Sequence, residues 1–258
     1  MRKFLKVFTN LVVIFQVFNI SAQNDTSADI LETAEDISFV SQQIAKSYFY
    51  VNQNVKREQA TKVIAGSIRR LDQNIEKLNG SYIVEPDSEE ANMLLFLSFT
   101  RDELKDTLAK KYSRDRGALI LDFSESLLEG ADLLAKRNKN TADPDEAIMS
   151  KVKRMGFLLE RISKYYIAFK AGYSDFNNLV QQRQAIDDFD SALIKISEHP
   201  KYANELKNTL AELNKFWPIA KKFYSSIESG STPRLVFTST THIEKMLKKI
   251  ERHHFGYN

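Results

Sequence analysis

Eight apolar or small positions, Ile30, Ala34, Ile37, Ser41, Ile44, Tyr48, Val51 and Val55, recur at alternating steps of four and three residues. A second set, Ile148, Val152, Met155, Leu159, Ile162, Tyr166, Phe169 and Tyr173, repeats the same spacing, each member 118 residues after its counterpart. A 4-3 apolar spacing draws one stripe along an α-helix and is the seam of a helix packed at a shallow angle in a bundle. The chain therefore carries a helix-forming segment twice, and anything it folds into must accommodate two equivalent helices. The expectation is that residues 28–79 match residues 146–197 as helix pairs, with Ile44, Ile162, Tyr48 and Tyr166 buried.

The next segment repeats at the same offset. Ile68, Leu71, Ile75 and Leu78 align with Ile186, Phe189, Leu193 and Ile196, and Asp72 with Asp190. A third pair, "TLAKKYS" from Thr107 and "PIAKKFY" from Pro218, implies an offset of 111 and a longer loop, "NGSYIVEPDS", in the first copy. A fourth, Leu119–Leu134 against Leu235–Ile250, has an offset of 116. The copies meet at "NKNTADPDEA", where Asp143 is a candidate N-cap and Pro144 suits a first helical turn. Thr232-Pro233 opens the last helix in the same manner. Pro218 falls inside a helical pattern and should bend it. With only 8 Gly and 5 Pro in 258 residues, the chain lacks the turns a sheet needs. A lone amphipathic helix is marginal in water, so the stripes must be buried on one another. The expected fold is all-α: two tandem duplicated antiparallel four-helix bundle units, residues 28–137 and 144–254, after a signal peptide at 1–22.

That leading segment, "MRKFLKVFTNLVVIFQVFNISA", has a basic start, an apolar run and small residues at its end, the layout of a cleaved secretory signal. An uncleaved anchor is the competing reading, though the run is short and interrupted by polar groups. The expected location is periplasmic or secreted, in a bacterium. The formal charge of +3 belongs to this segment. It holds three basic side chains and no acidic one, so the remainder balances at 34 of each and gives no reason to expect nucleic acid as a partner. There is no Cys, so no thiol nucleophile or disulfide is available. The four His stand outside any metal-ligand or catalytic spacing, and no hydrolase or nucleotide-binding motif occurs. No catalytic residue, metal site or cofactor is expected. Tyr48 and Tyr166 are read as core tyrosines whose hydroxyls are satisfied by hydrogen bonds.

"VSQQIAKSYFY" and "LLERISKYYIA" resemble the segment R-M-L-S-Q-R-I-A-K-x-Y of PilJ-type domains, the extracytoplasmic N-terminal domains of type IV pili methyl-accepting chemotaxis transducers. These are related to the helical sensor domains of nitrate- and nitrite-responsive kinases. "ESLLEGADLLAKRNKNTA" and "LAELNKFWPIAKKFY" resemble further helices of the family, and the likeness spans nearly all of residues 28–252. The resemblance implies a non-enzymatic, sensor-like module that binds a small anion, nitrate or nitrite, or serves a membrane-bound signalling or pilus-related protein, and it would allow a homodimer. In the sensor relatives the anion is held by the first Arg of the motif, which aligns here with Ser38 and Gly156. The second Arg aligns with Gln43 and Arg161, the Ser-Gln pair is kept as Ser41-Gln42, and the Lys as Lys46 and Lys164. The candidate ligand residues are therefore Arg154, Arg161, Lys164, Gln42, Gln43 and Lys46, with Arg154, Arg161 and Lys164 as a substitute basic cluster. The bland alternatives are a solvated basic face and a helical interaction protein that binds no small ligand.

Overall fold

The computed structural model describes residues 2–81, 88–138, 144–200, 206–228, 230 and 232–254, with side chains for 27–81, 88–138, 149–200, 206–228, 230 and 232–253. The side chains of the leading segment and of Ile148, and Asp143 as a cap, lie outside the described residues. The described chain is all-helical, with eight helices and no strand: α1 (Arg2–Asn52), α2 (Arg57–Ser81), α3 (Glu89–Leu108), α4 (Arg114–Asn138), α5 (Pro144–Lys170), α6 (Phe176–Ser197), α7 (Lys207–Ser225) and α8 (Pro233–His254). Among the described residues no helix is long and apolar enough to cross a membrane.

Local chemistry fixes the helix ends. Ser88 and Asp175 cap α3 and α6, accepting from the amides of Ala91 and Asn178. The repeat extends into the turns that end α1 and α5. Gly172 adopts a positive φ of 96°, while its N–H donates to Phe169 and that of Tyr173 to Ala168. Asn54, 118 residues earlier, has φ 54°, with matching bonds to Val51 and from Val55 to Tyr50. This is a Schellman stop made once with Gly and once with Asn, the two residues that best tolerate the left-handed region. α7 stays helical through Pro218 to Ser225.

Packing is dominated by α1 and α5. α1 touches α2, α4 and α5, while α5 touches α1, α6, α7 and α8; α3 bridges α2 to α4, and α7 bridges α6 to α8. Bonded pairs across the α1–α5 seam differ by 114 to 121 residues: Lys46 to Glu160, Ser150 to Glu35, Gln43 to Glu160 and Lys153 to Glu32. A near-constant difference, rather than a constant sum, means that the two repeated helices run parallel, side by side and almost level. Gly156 lies against the ring of Phe39 at this seam, and one buried core spans both halves of the chain.

The apolar stripes are buried as expected: Ile44, Ile162 and Tyr166 are fully covered and Tyr48 nearly so. Burial, however, is not confined to a stripe. Every residue from Ile44 to Tyr50 and from Phe157 to Ala168 is buried, including Lys46 and Lys164, because each repeated helix is flanked on several sides.

The structure also corrects one repeat register. Leu94, Leu97 and Leu104 of α3 occupy the buried positions of Leu210, Leu213 and Ala220 in α7, an offset of 116, not 111. Lys105 donates to Asp72 as Lys221, 116 residues on, donates to Asp190. The "AKKY" and "AKKF" strings that suggested 111 are not equivalent: Ala109 caps the end of α3, whereas Ala220 lies inside α7. α4 and α8 keep the offset of 116, with Ile120, Ser124, Leu127 and Leu134 buried like Val236, Thr240, Ile243 and Ile250.

Candidate functional site

The motif residues of α1 and α5 meet carboxylates in two separate clusters. In the first, Lys46 Nζ lies 2.7 Å from Glu160 Oε2 on α5 and 3.1 Å from Glu244 Oε1 on α8. The Glu160 side chain is wholly buried and that of Glu244 one-fifth exposed. Gln43, three residues before Lys46 and so on the same face, donates from Nε2 to Glu160 Oε1 at 3.3 Å and accepts from Ser67 Oγ of α2 at 2.7 Å. Burial alone would pull the Lys46 ammonium down, but the two carboxylates outweigh it and hold its pKa above the ordinary lysine range. Burial pushes the Glu160 carboxyl up to about 8, against the pull of Lys46 and with the added repulsion of Glu244. Burial would raise Glu244 as well, but Lys46 and a hydrogen bond with Glu160 keep it below its usual value. Two carboxyls thus share one lysine, and burial with the neighbouring Glu244 favours the protonated form of Glu160.

The second cluster has the opposite composition. Glu125 of α4 accepts from Arg161 Nη1 at 3.1 Å and Nη2 at 2.7 Å, and from Lys164 Nζ. Arg161 also donates to Gln181 of α6 at 2.8 Å, and Lys164 to Ser124 Oγ at 3.3 Å. Arg161 and Lys164 follow one another by three residues, which places both on the α4-facing side of α5. Burial lowers the Lys164 ammonium to about 8, opposed by Glu125 and reinforced by Arg161. Burial would raise Glu125, but the two cations hold it below the usual carboxylate range.

Gln42 joins neither cluster. It donates to the Ser124 carbonyl at 3.0 Å and to Ser41 Oγ at 3.2 Å, and its Oε1 is buried without a partner. The hydroxyl of Tyr48 is likewise buried without a hydrogen bond, unlike the satisfied core tyrosine expected, and so is that of Tyr50. Arg154 is exposed. Its guanidinium sits 4.4 Å from the centroid of Phe157, the ring that also lies 5.9 Å from Arg161. Among the described residues no carboxylate pairs with Arg154. It stands where a groove of about 190 Å³, lined by Asp132, Phe157, Gln181 and Asp188, meets a cleft of about 940 Å³ flanking the α1–α5 seam.

The structure therefore groups Arg161 with Lys164, sets Arg154 across a shared ring from Arg161, and separates Gln43 and Lys46 from all three. The residues that organise these groups, Glu125, Glu160 and Glu244, were not singled out from sequence. Glu125 carried a faint signal, since it follows Ser124 among the buried positions Leu121, Ser124 and Leu128. Chemically, the Arg161 fork that could receive a planar oxyanion already receives a carboxylate in bidentate fashion. Among the described residues no group of three or more His, Asp or Glu side chains is placed to hold a metal ion. Comparison of the chain with protein-family models, with curated proteins and with solved structures gave no match in any of the three.

Proposed function

We propose that this chain is an exported, non-catalytic helical interaction module, in which the repeated motif fastens two duplicated antiparallel four-helix bundles to each other. The observation that carries the reading is the reciprocal crossing of the motif cations. Lys46 of the first half reaches Glu160 and Glu244 of the second, and Lys164 and Arg161 of the second reach Glu125 of the first. The neighbour pattern, α1-α2-α3-α4 and α5-α6-α7-α8 each forming a ring of contacts, supports the two units, residues 28–137 and 144–254. The likeness to PilJ-type sensors suggests a partner on a bacterial signalling or pilus complex. In this reading the motif that holds an anion in the sensor relatives is occupied by internal carboxylates. Export rests on the composition of residues 1–22; an N-terminus at Gln23 in the protein recovered from its native host would support it, and an intact Met1 in the membrane fraction would defeat it.

A sensor-like second reading draws on Arg154, whose guanidinium faces an open cleft with no carboxylate partner among the described residues. Titration calorimetry with nitrate, nitrite and acetate separates the two. The interaction reading expects no heat from any of them. Heat abolished by Arg154→Ala but kept in Gln43→Ala would favour the sensor reading, and heat abolished by Arg161→Ala would show that the Glu125 pair yields to a ligand.

A further inference from the structure

The repeat supplies an internal control for what the surface needs. On α3, Leu95, Phe96 and Phe99 are 69%, 43% and 60% exposed, although the opposite face of that helix already buries Leu94, Leu97 and Leu104. A surface helix of this kind ordinarily shows one apolar stripe, not two. At the equivalent positions of α7, 116 residues on, stand Ala211, Glu212 and Lys215, all exposed. α7, set between α6 and α8 as α3 is set between α2 and α4, does without apolar residues at these positions, so the aromatic and aliphatic face of α3 is not required by the fold. Leu133 of the neighbouring α4 is also an exposed apolar residue, at 45%. It lies on the stripe between Gly130, which abuts Leu97 and Met93, and Arg137, which pairs with Glu90. Exposed apolar patches with a polar border mark interaction sites.

The charge along this face is uneven. The exposed stripe continues from Phe99 into Asp102, Glu103 and Asp106, and among the described residues no cation reaches Glu103 or Asp106. We propose that the exposed face of α3 docks an amphipathic helix of a partner protein that presents apolar side chains beside one half of α3 and Lys or Arg beside the acidic half. A second copy of this chain fits poorly. Paired in parallel, its acidic ends coincide; paired antiparallel, Asp102, Glu103 and Asp106 run toward the Glu89–Glu90 end of the other copy, where Arg137 offsets only one of the two charges. An anionic membrane meets the same repulsion. The inference takes from the interaction reading only that the partner is a protein, and it is independent of the ion pairs between the halves.

The test uses the full chain and a labelled, side-chain-stapled helical peptide with Leu at heptad positions in one half and Lys in the other, with a control in which Glu replaces Lys. Fluorescence anisotropy should detect binding of the Lys peptide, weakened by added salt, and little binding of the Glu peptide. The triple variant Leu95→Ala, Phe96→Glu, Phe99→Lys installs the residues that α7 carries, so it should fold with an unchanged thermal melt while losing affinity by at least about tenfold. The proposal is overturned if the Lys peptide does not bind, if both peptides bind equally, or if the variant binds as well as the parent. It is also overturned if light scattering finds a parent dimer that the variant abolishes, or if vesicles of zwitterionic and anionic lipid bind the parent and not the variant. A calorimetric anion signal lost in Arg161→Ala would undo the interaction reading while leaving this surface to be judged by the peptide.

Discussion

The Lys46 and Lys164 clusters occupy corresponding places on two parallel helices, yet their charges are inverted. Around Lys46 one cation meets two carboxylates; around Glu125 one carboxylate meets two cations. The first is the more enclosed, since the Glu160 side chain has no solvent exposure and that of Glu125 is 29% exposed. The difference teaches that retention of a motif lysine does not retain its surroundings. Where the first copy has Gln42 and Gln43 the second has Glu160 and Arg161, and each difference supplies charge to a different cluster. Buried ion pairs contribute little net stability over apolar replacements, but removing one member strands the other.

That stranding gives the largest expected effect. Lys46→Met should leave Glu160 facing Glu244 without a cation and cost about 3–5 kcal/mol by urea unfolding at pH 7.5. A loss below about 1 kcal/mol would mean that the two carboxyls manage with a shared proton alone. Glu125→Gln should cost less, about 2 kcal/mol, because Arg161 keeps Gln181 and Lys164 sheds its proton readily. A loss equal to that of Lys46→Met would erase the distinction between the clusters.

The clusters should also separate by pH. The folded Glu160 carboxyl titrates near 8, above its value in the unfolded chain, so the folded state holds the extra proton between those two points. Its stabilisation is fully present below the ordinary carboxylate range and fades as pH rises toward 8. Lys164 behaves oppositely: its folded value near 8 lies below the unfolded one, so the unfolded chain binds the extra proton and stability climbs above pH 8. Urea midpoints measured at pH 5.5, 8 and 9.5 should pass through a minimum near the middle value. Glu160→Gln should flatten the descending limb, and Lys164→Met the ascending one; identical profiles for both variants would contradict the assignment. The smallest effect is expected from Lys105→Ala. Its partner Asp72 is held at 2.9 Å, but the lysine side chain is 42% exposed, so a loss of about 0.5 kcal/mol is the expected ceiling.

The helical class and the repeat of α1, α2, α5 and α6 were legible because each rests on periodic apolar residues, which burial enforces along a whole helix. The turn after Phe169 was legible in principle from Gly172, and its twin at Asn54 only through the repeat. The 111 register failed because "AKKY" and "AKKF" match as letters while one lies past a helix end and the other within a helix. Arg161 and Lys164 could be placed on one face of α5 from their spacing. Their engagement by Glu125 could not, since that partner is contributed by a helix more than thirty residues away in the chain. The burial of Lys46 was hidden for a related reason: it follows from how many helices surround α1, a property of assembly rather than of any one segment.

The parallel seam between α1 and α5 bears on how such a chain could arise. Helices that pack side by side, level and pointing the same way are what a homodimer of a single-copy ancestor would present across its symmetry axis. In that dimer one residue would have to serve at both positions, so Gln and Arg could not stand opposite each other, and the two clusters could not carry opposite excesses of charge. Joining the copies into one polypeptide lifts that restriction. The surplus carboxyl around Lys46 and the surplus cation around Glu125 are an asymmetry that such a symmetric dimer could not hold. Separated halves expressed as two polypeptides should therefore prefer each other to themselves.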